Sequence, residues 1–166
     1  MLEICTLQNV PLFAGLSILQ LEKLQPLLKP VRAKHGSYII KENTIGDQMY
    51  LLADGCVQVT KDLVKGFDED QASTEKVLAT LCASLLPTFG ENGVLGHASR
   101  TANIIAQKDC LLFTLSKADF EKYAAGDYQA AFVIMTNIAK KLSENLNATD
   151  ANLVKMATAL YIAVQQ

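Results

Sequence analysis

Apolar residues follow helical spacing at both ends of this chain and fall into short, turn-bounded runs in the middle. Residues 2–9 read as a leading turn or short helix. After Pro11-Leu12-Phe13, Leu21, Leu24, Leu27 and Leu28 recur at helical spacing. Ser17 is placed to cap that helix and Pro26 to end or kink it. Pro30 marks the passage into strands. From Val31 to Ser116, brief apolar runs alternate with turn residues at Gly36, Asn43 to Asp47, Asp54-Gly55, Gly66 to Asp70 and Gln107 to Asp109. Tyr50, Leu52, Val57, Val59, Val77, Leu81, Ile104, Ile105, Leu112 and Leu115 are expected to fill the interior of a small barrel or jelly roll. The polar, acidic segment from Asp62 to Glu75 is expected to be an exposed hairpin loop.

Beyond Ser116 the spacing turns helical again. Ser116 and Asp119 form a capping-box pattern that opens a short helix, and Gly126 ends it. A long helical stretch follows, with a seam at Tyr128, Phe132, Met135, Ala139, Leu142, Leu146, Thr149, Leu153, Met156 and Leu160. Its steps alternate four and three, the spacing of a coiled-coil contact. The first two turns are expected to pack on their own domain and the later ones to need a partner. The polar run Asn147 to Asp150 marks a place where the helix is open to a break.

Half of the 166 residues are hydrophobic and 19% charged, as in a soluble globular chain with one full core. A net charge of −2 gives no general attraction to nucleic acid or to acidic membranes. No signal peptide is visible at the N-terminus, and no run of about 20 apolar residues predicts a membrane span. The four cysteines, Cys5, Cys56, Cys82 and Cys110, lie far apart without Cys-x-x-Cys spacing. They are read as free, reduced thiols of a cytoplasmic protein. No nucleophile elbow, Walker phosphate loop or His-Glu-x-x-His is present, so no enzymatic activity is expected.

The densest chemistry lies in Phe89-Gly90-Glu91-Asn92-Gly93-Val94-Leu95-Gly96-His97-Ala98-Ser99-Arg100-Thr101-Ala102. Glycines let backbone amides approach an anion, and a helix opening at Gly90 would turn its positive end to the same point. Arg100 supplies a planar, permanent charge suited to phosphate. Glu91 supplies an acceptor for hydroxyl groups such as the 2′-OH of a ribose. The alternative for the pair is a surface ion pair, a contact contributing about 0–1 kcal/mol. The amides of Gly90, Asn92 and Gly93 are candidate phosphate donors, against the alternative of a plain helix start. His97 reads as a loop residue rather than a metal or haem ligand, because no second ligand accompanies it.

On Phe89, Gly90, Glu91, Arg100, Thr101 and Ala102, the segment resembles the phosphate-binding cassette of cyclic-nucleotide-binding domains, the family of catabolite activator proteins and kinase regulatory subunits. Gly36 to Glu42 and Gly46 to Leu52 look like the strand pair that precedes the cassette, and Gly55 to Val59 like the next strand. The resemblance covers residues 10–146. Asn43 stands where the family usually has glycine, and asparagine tolerates a left-handed turn. Ser84-Leu85-Leu86-Pro87-Thr88 is unusually apolar for the family, and Ser99 stands where proline is common.

The resemblance implies a mainly β, α+β fold: a jelly-roll (double-stranded β-helix) barrel flanked by an N-terminal helix and a long C-terminal helix. Its parts are a helical lead at 1–30, the barrel at 31–116 with the cassette at 89–102, and C-terminal helices at 117–166. It implies a ligand, cAMP ahead of cGMP, held by Gly90, Glu91, Asn92, Gly93, Arg100 and Thr101. Asn145, where relatives carry a hydroxyl that reads the adenine amino group, is a further candidate, against the alternative of a solvated helix residue. No other cofactor and no metal are expected. The reading is a stand-alone sensor, homodimeric through residues 128–160, acting on a downstream protein. The apolar residues 147–166 hold a single base, Lys155, and form no helix-turn-helix, so direct DNA binding is not expected. The alternatives are a dimerisation or docking module of the same fold without a nucleotide, and a haem-based sensor using His97 or the cysteines.

Overall fold

The computed structural model describes residues 2–62, 75–96 and 99–164. His97 and most of the acidic segment between Asp62 and Glu75 lie outside them. Among the described residues eight strands form two antiparallel four-stranded sheets: β1 (Lys29–Ala33), β2 (Tyr38–Ile40), β3 (Gln48–Asp54), β4 (Cys56–Asp62), β5 (Glu75–Cys82), β6 (Thr88–Phe89), β7 (Asn103–Ala106) and β8 (Cys110–Ser116). Their orders are β1-β8-β3-β6 and β2-β7-β4-β5. The two segments read as a preceding strand pair therefore lie in different sheets. β2 pairs with β7 and β3 with β8 and β6, and the loop between them crosses from one sheet to the other.

Two apolar cores share the first sheet. Between the sheets, Ile40, Tyr50, Leu52, Val57, Phe89, Ile104 and Leu112 pack together, with Tyr50 stacked on Phe89 at 5.5 Å. On the outer face, Met49, Leu51, Phe113 and Leu115 pack under the helices. Alternate residues of β3 and β8 thus face two dry layers, which is why these strands read as near-continuous apolar runs rather than alternating ones. Leu115 consequently lies under the helices and not inside the barrel. Val77, also expected inside, is half exposed on β5, an edge strand with one neighbour. Val59 and Leu81 pack against the barrel core from its margin.

The helices are α1 (Ile4–Gln8), α2 (Ile18–Leu24), α3 (Asn92–Leu95), α4 (Lys117–Gly126) and α5 (Tyr128–Val164). Ser17 caps α2 through a reciprocal capping box with Gln20, and the helix tightens into a 3₁₀ turn at Pro26. Ser116 caps α4 by accepting from the Asp119 amide at 3.1 Å. Asp119 also pairs with Lys29 at 2.8 Å, and that bond, followed by the one from Ser116, holds its carboxyl below the usual value. Burial, with Asp127 nearby, pushes the Tyr123 phenol up to about 12. The Tyr123 hydroxyl donates to the Gln20 carbonyl, tying α4 to α2.

α5 runs for 37 residues without a break at Asn147 to Asp150. Poor helix formers cost only a few tenths of a kcal/mol each, too little to interrupt a helix with turns on both sides. Its domain-facing stripe is Ala130, Ala131, Ile134 and Ile138, all buried. This is not the heptad seam. Tyr128 and Phe132, expected to pack on the domain, are exposed. Asn137 fixes the docked portion by donating to the carbonyls of Leu12 and Ala14 at 3.0 and 2.9 Å. Among the described residues no helix is long and apolar enough to cross a membrane.

The thiols also differ from expectation. The β4–β5 register sets Cys56 directly opposite Cys82, and the two form a disulfide. Cross-strand partners lie within bonding reach however far apart they are in sequence. Cys5 and Cys110 are free thiols, and burial pushes that of Cys110 up.

Candidate functional site

The cassette folds because a few residues take conformations or contacts that others resist. Gly90 has φ 74°, in the left-handed region, and turns the chain sharply from β6 into α3. A Cβ on Gly93 would lie 2.6 Å from the Gln48 carbonyl oxygen, so glycine lets α3 sit directly on β3. Asn43 takes φ 63°, the left-handed turn expected of it. That turn brings the β2–β3 loop against the far end of the cassette. There the Asn43 amide donates to the Arg100 carbonyl at 2.9 Å, and the Arg100 amide to the Thr44 carbonyl at 2.8 Å.

Arg100 points inward and is only 7% exposed. Nη1–H donates to the Gly90 carbonyl at 2.9 Å and Nη2–H to the Gln48 carbonyl at 2.7 Å. One guanidinium thus bridges the cassette to β3. A guanidinium carries five N–H donors, so three remain for another acceptor. A cavity of about 270 Å³ borders Arg100 on the side of Ile39, Ile40, Lys41, Gly46 and Gln48; Glu91 does not line it.

Glu91, also 7% exposed, does not pair with Arg100. Its Oε1 accepts from the Thr88 hydroxyl at 2.9 Å and from the ammonium of Lys141 on α5. Lys141 Nζ also donates to the Thr88 carbonyl, and to its hydroxyl at 3.2 Å. The surface ion pair between Glu91 and Arg100 is therefore replaced by two separate buried charges. Each is neutralised locally, Arg100 by carbonyl dipoles and Glu91 by Lys141.

Gly90, Glu91, Asn92 and Gly93 follow one another through the turn into α3, and Arg100 reaches the Gly90 carbonyl, but of these five only Arg100 lines the cavity. The Gly93 amide is already engaged, donating to the Gly90 carbonyl at 2.9 Å. The amides of Glu91 and Asn92 make no backbone hydrogen bond among the described residues. Thr101 is exposed beyond Arg100. Asn145 is exposed on α5, one helical turn past Lys141. Lys141, Thr88 and Gln48 escaped the sequence reading. Gln48 acts through its backbone, which carries no side-chain signature. Lys141 reaches Glu91 across 50 residues, and nothing on a solvated helix face marks one lysine from another. Among the described residues no cluster of His, Cys, Asp or Glu is arranged to hold a metal ion.

A family model of the cyclic nucleotide-binding domain matches residues 30–127. Isozyme 1 of the cGMP-dependent protein kinase of Drosophila melanogaster is 35% identical over 119 residues, 70% of this chain and 14% of its own. The cyclic nucleotide-gated channel alpha-4 of Mus musculus is 28% identical over 165 residues, 99% of this chain and 27% of its own. The chain therefore spans a minor part of the length of these curated relatives. Among solved structures, the catabolite activator protein of Thermus thermophilus superposes with a TM-score of 0.74 at 23% identity, over 89% of this chain and 63% of that one. The regulatory domain of Toxoplasma gondii PKA with cAMP gives 0.66 at 23% identity, over 85% and 48%. At such identities the structural likeness speaks for the jelly-roll fold alone. With the family model covering the barrel, the cassette and α4, this chain belongs to the cyclic nucleotide-binding domain family.

Proposed function

We propose that this chain binds a 3′,5′-cyclic purine nucleotide, cAMP ahead of cGMP, and acts as a regulatory module rather than an enzyme. The observation that carries the reading is the inward, buried Arg100. Two of its donors lock the cassette to β3, and the other three meet no acceptor among the described residues, which suits a cyclic phosphate. The amides of Glu91 and Asn92 would take further phosphate oxygens, and Glu91 the ribose 2′-hydroxyl. Thr101 would lie beside the phosphate. cAMP is put first because the side-chain carbonyl of Asn145, one turn past the Lys141–Glu91 contact, suits the amino group of adenine.

The signal would leave through α5. Its seam from Leu142 through Leu146, Leu153, Met156 and Leu160 is exposed, which supports a parallel contact with a second copy. Ligand shifts that contact only as far as it prefers one placement of α5 over another. A downstream protein would read the change.

A second reading has its own support. Arg100 and Glu91 each have internal hydrogen-bond partners, Arg100 the Gly90 and Gln48 carbonyls and Glu91 the Lys141 ammonium. Leu86, in the apolar run before the cassette, sits at φ 45°, a conformation costly for leucine. Both observations suit a dimerisation or docking module without a nucleotide. Titration with fluorescent cAMP and cGMP separates the two readings. The sensor reading expects saturable binding to the wild type, weakened about 30- to several-thousand-fold in Arg100→Ala by loss of a buried charged partner. A folded protein with no saturation below about 1 mM sinks the sensor reading. Light scattering with and without nucleotide tests the dimer.

A further inference from the structure

We propose that the Cys56–Cys82 bond is a redox latch on the cassette. Closed, it holds the segment leading into Gly90 and Glu91 in a strained, preset shape; reduced, it lets that segment relax. The effect on affinity rests on the nucleotide reading above, whereas the coupling itself does not.

Cys56 opens β4 and Cys82 ends β5, so the bond ties the end of the ladder opposite to the Asp62–Glu75 pair. Only residues 83–87 lie between Cys82 and Thr88, whose hydroxyl donates to Glu91 at 2.9 Å. β5 depends on this tie. It pairs with β4 alone and is exposed from Lys76 to Thr80. A strand with one neighbour and little apolar cover opens locally at low cost. Both cysteines are half-buried rather than sealed in the core, so a small dithiol can reach the bond.

Strain makes the tie matter to the cassette. Leu86 is left-handed, at φ 45°, and a leucine stays there only where the chain is gripped on both sides. On the cassette side the Pro87 carbonyl accepts from the Leu52 amide at 3.0 Å, and Thr88 and Phe89 pair with β3. On the other side the grip is the disulfide, together with the bond from the Ala83 amide to the Gly55 carbonyl at 3.0 Å. Opening the disulfide removes the covalent half of that grip. Leu86 then reaches an ordinary conformation by drawing Pro87 and Thr88 with it, and Thr88 is the residue that orients Glu91.

Reduction by a dithiol balances without another reactant. One reductant thiolate attacks a sulfur of the pair, the Cys56–Cys82 bond breaks, and the second reductant thiol resolves the mixed disulfide. Two electrons and two protons pass to the cysteines, and the reductant leaves as its own disulfide.

The test compares the oxidised chain with the chain reduced by dithiothreitol, using cAMP titration, hydrogen exchange without ligand, and a melt of each sample. Relaxing one left-handed leucine corresponds to about 5- to 30-fold in an equilibrium. Reduced wild type should bind cAMP more weakly by about that factor. The amides of Leu86, Gly93 and Val94 should exchange faster by a similar factor, and those of β8 should not. Cys56→Ser combined with Cys82→Ser should match the reduced chain and ignore reductant, which assigns the response to this pair and not to Cys5 or Cys110. Leu86→Asn, a residue that tolerates the left-handed turn, should shrink the redox response below about twofold. Unchanged exchange at the cassette amides overturns the latch, as does unchanged affinity in a wild type that binds. A full response in Leu86→Asn overturns it too, and so does a reduced wild type that is unfolded at the assay temperature, because the bond then serves the whole fold. A wild type that binds neither nucleotide sinks the functional reading, and exchange alone then decides the latch.

Discussion

Gly93→Ala is a sharp test of how the cassette is held. The added Cβ would lie 2.6 Å from the Gln48 oxygen, 2.7 Å from its nitrogen and 3.0 Å from its carbonyl carbon, where ordinary contact begins at 3.4 Å. These are backbone atoms of β3, which is locked to β8 with Gln48 opposite Ser116. β3 cannot retreat, so α3 must move away by ~0.8 Å, an overpacking that typically costs about 1–3 kcal/mol. For a chain of this length that lowers Tm by about 2–12 °C. The shift carries the amides of Glu91 and Asn92 with it and strains the Arg100 bond to the same Gln48 carbonyl. Losing one charge-assisted hydrogen bond to phosphate weakens nucleotide binding by about 10- to 100-fold. Thermal melts and calorimetric titration on the same samples read both effects. Gly96→Ala is the control: its φ of 174° is extended backbone and its Cβ would meet nothing within 4 Å among the described residues, so it should match the wild type. Gly93→Ala with wild-type melting and wild-type affinity would refute the proposed packing of α3 on β3.

Two further outcomes test the scaffold. The Asp119 carboxyl is held low by Lys29 and then by Ser116, and that of Asp127 by the Ala130 amide, then Gln20 and Lys23. A depressed carboxyl contributes stability that is present above its unfolded value near 4 and is lost as pH falls through the lower folded value. Asp119→Asn should therefore lower Tm at pH 7 and flatten its decline below about pH 4; an unchanged acid limb would contradict the pairing. Reducing the Cys56–Cys82 bond, which spans 26 residues, should lower stability by about 2–4 kcal/mol, followed by melts with and without reductant. Mass spectrometry of the unreduced, alkylated chain should count two free thiols, and four would remove the disulfide.

Some of this molecule is local chemistry, and that part was legible in the chain. Ser17 and Ser116 cap their helices because a short hydroxyl reaches an amide three residues on, a matter of neighbours alone. Asn43 takes its left-handed turn because its own backbone tolerates positive φ, whereas the helix expected to open at Gly90 opens at Asn92, with Gly90 at φ 74° making the bend before it. The order of apolar runs and turns left a small barrel or a jelly roll, and the resemblance carried by the cassette residues chose the jelly roll and the family.

Other features depend on which strand lies opposite which, and no short window encodes that. The β4–β5 register made a disulfide of two cysteines that had read as separate thiols. Burial of the first sheet on both faces sent Leu115 under the helices, and the edge position of β5 left Val77 in solvent. The continuity of α5 through Asn147 to Asp150 reflects cooperativity over many turns against a small local penalty. Only the docking of α5 on the barrel brought the Lys141 ammonium to the Glu91 carboxylate. A sequence fixes what each residue prefers within a turn or two of backbone. Partners drawn from elements far apart along the chain are chosen by the collapse that buries both cores at once.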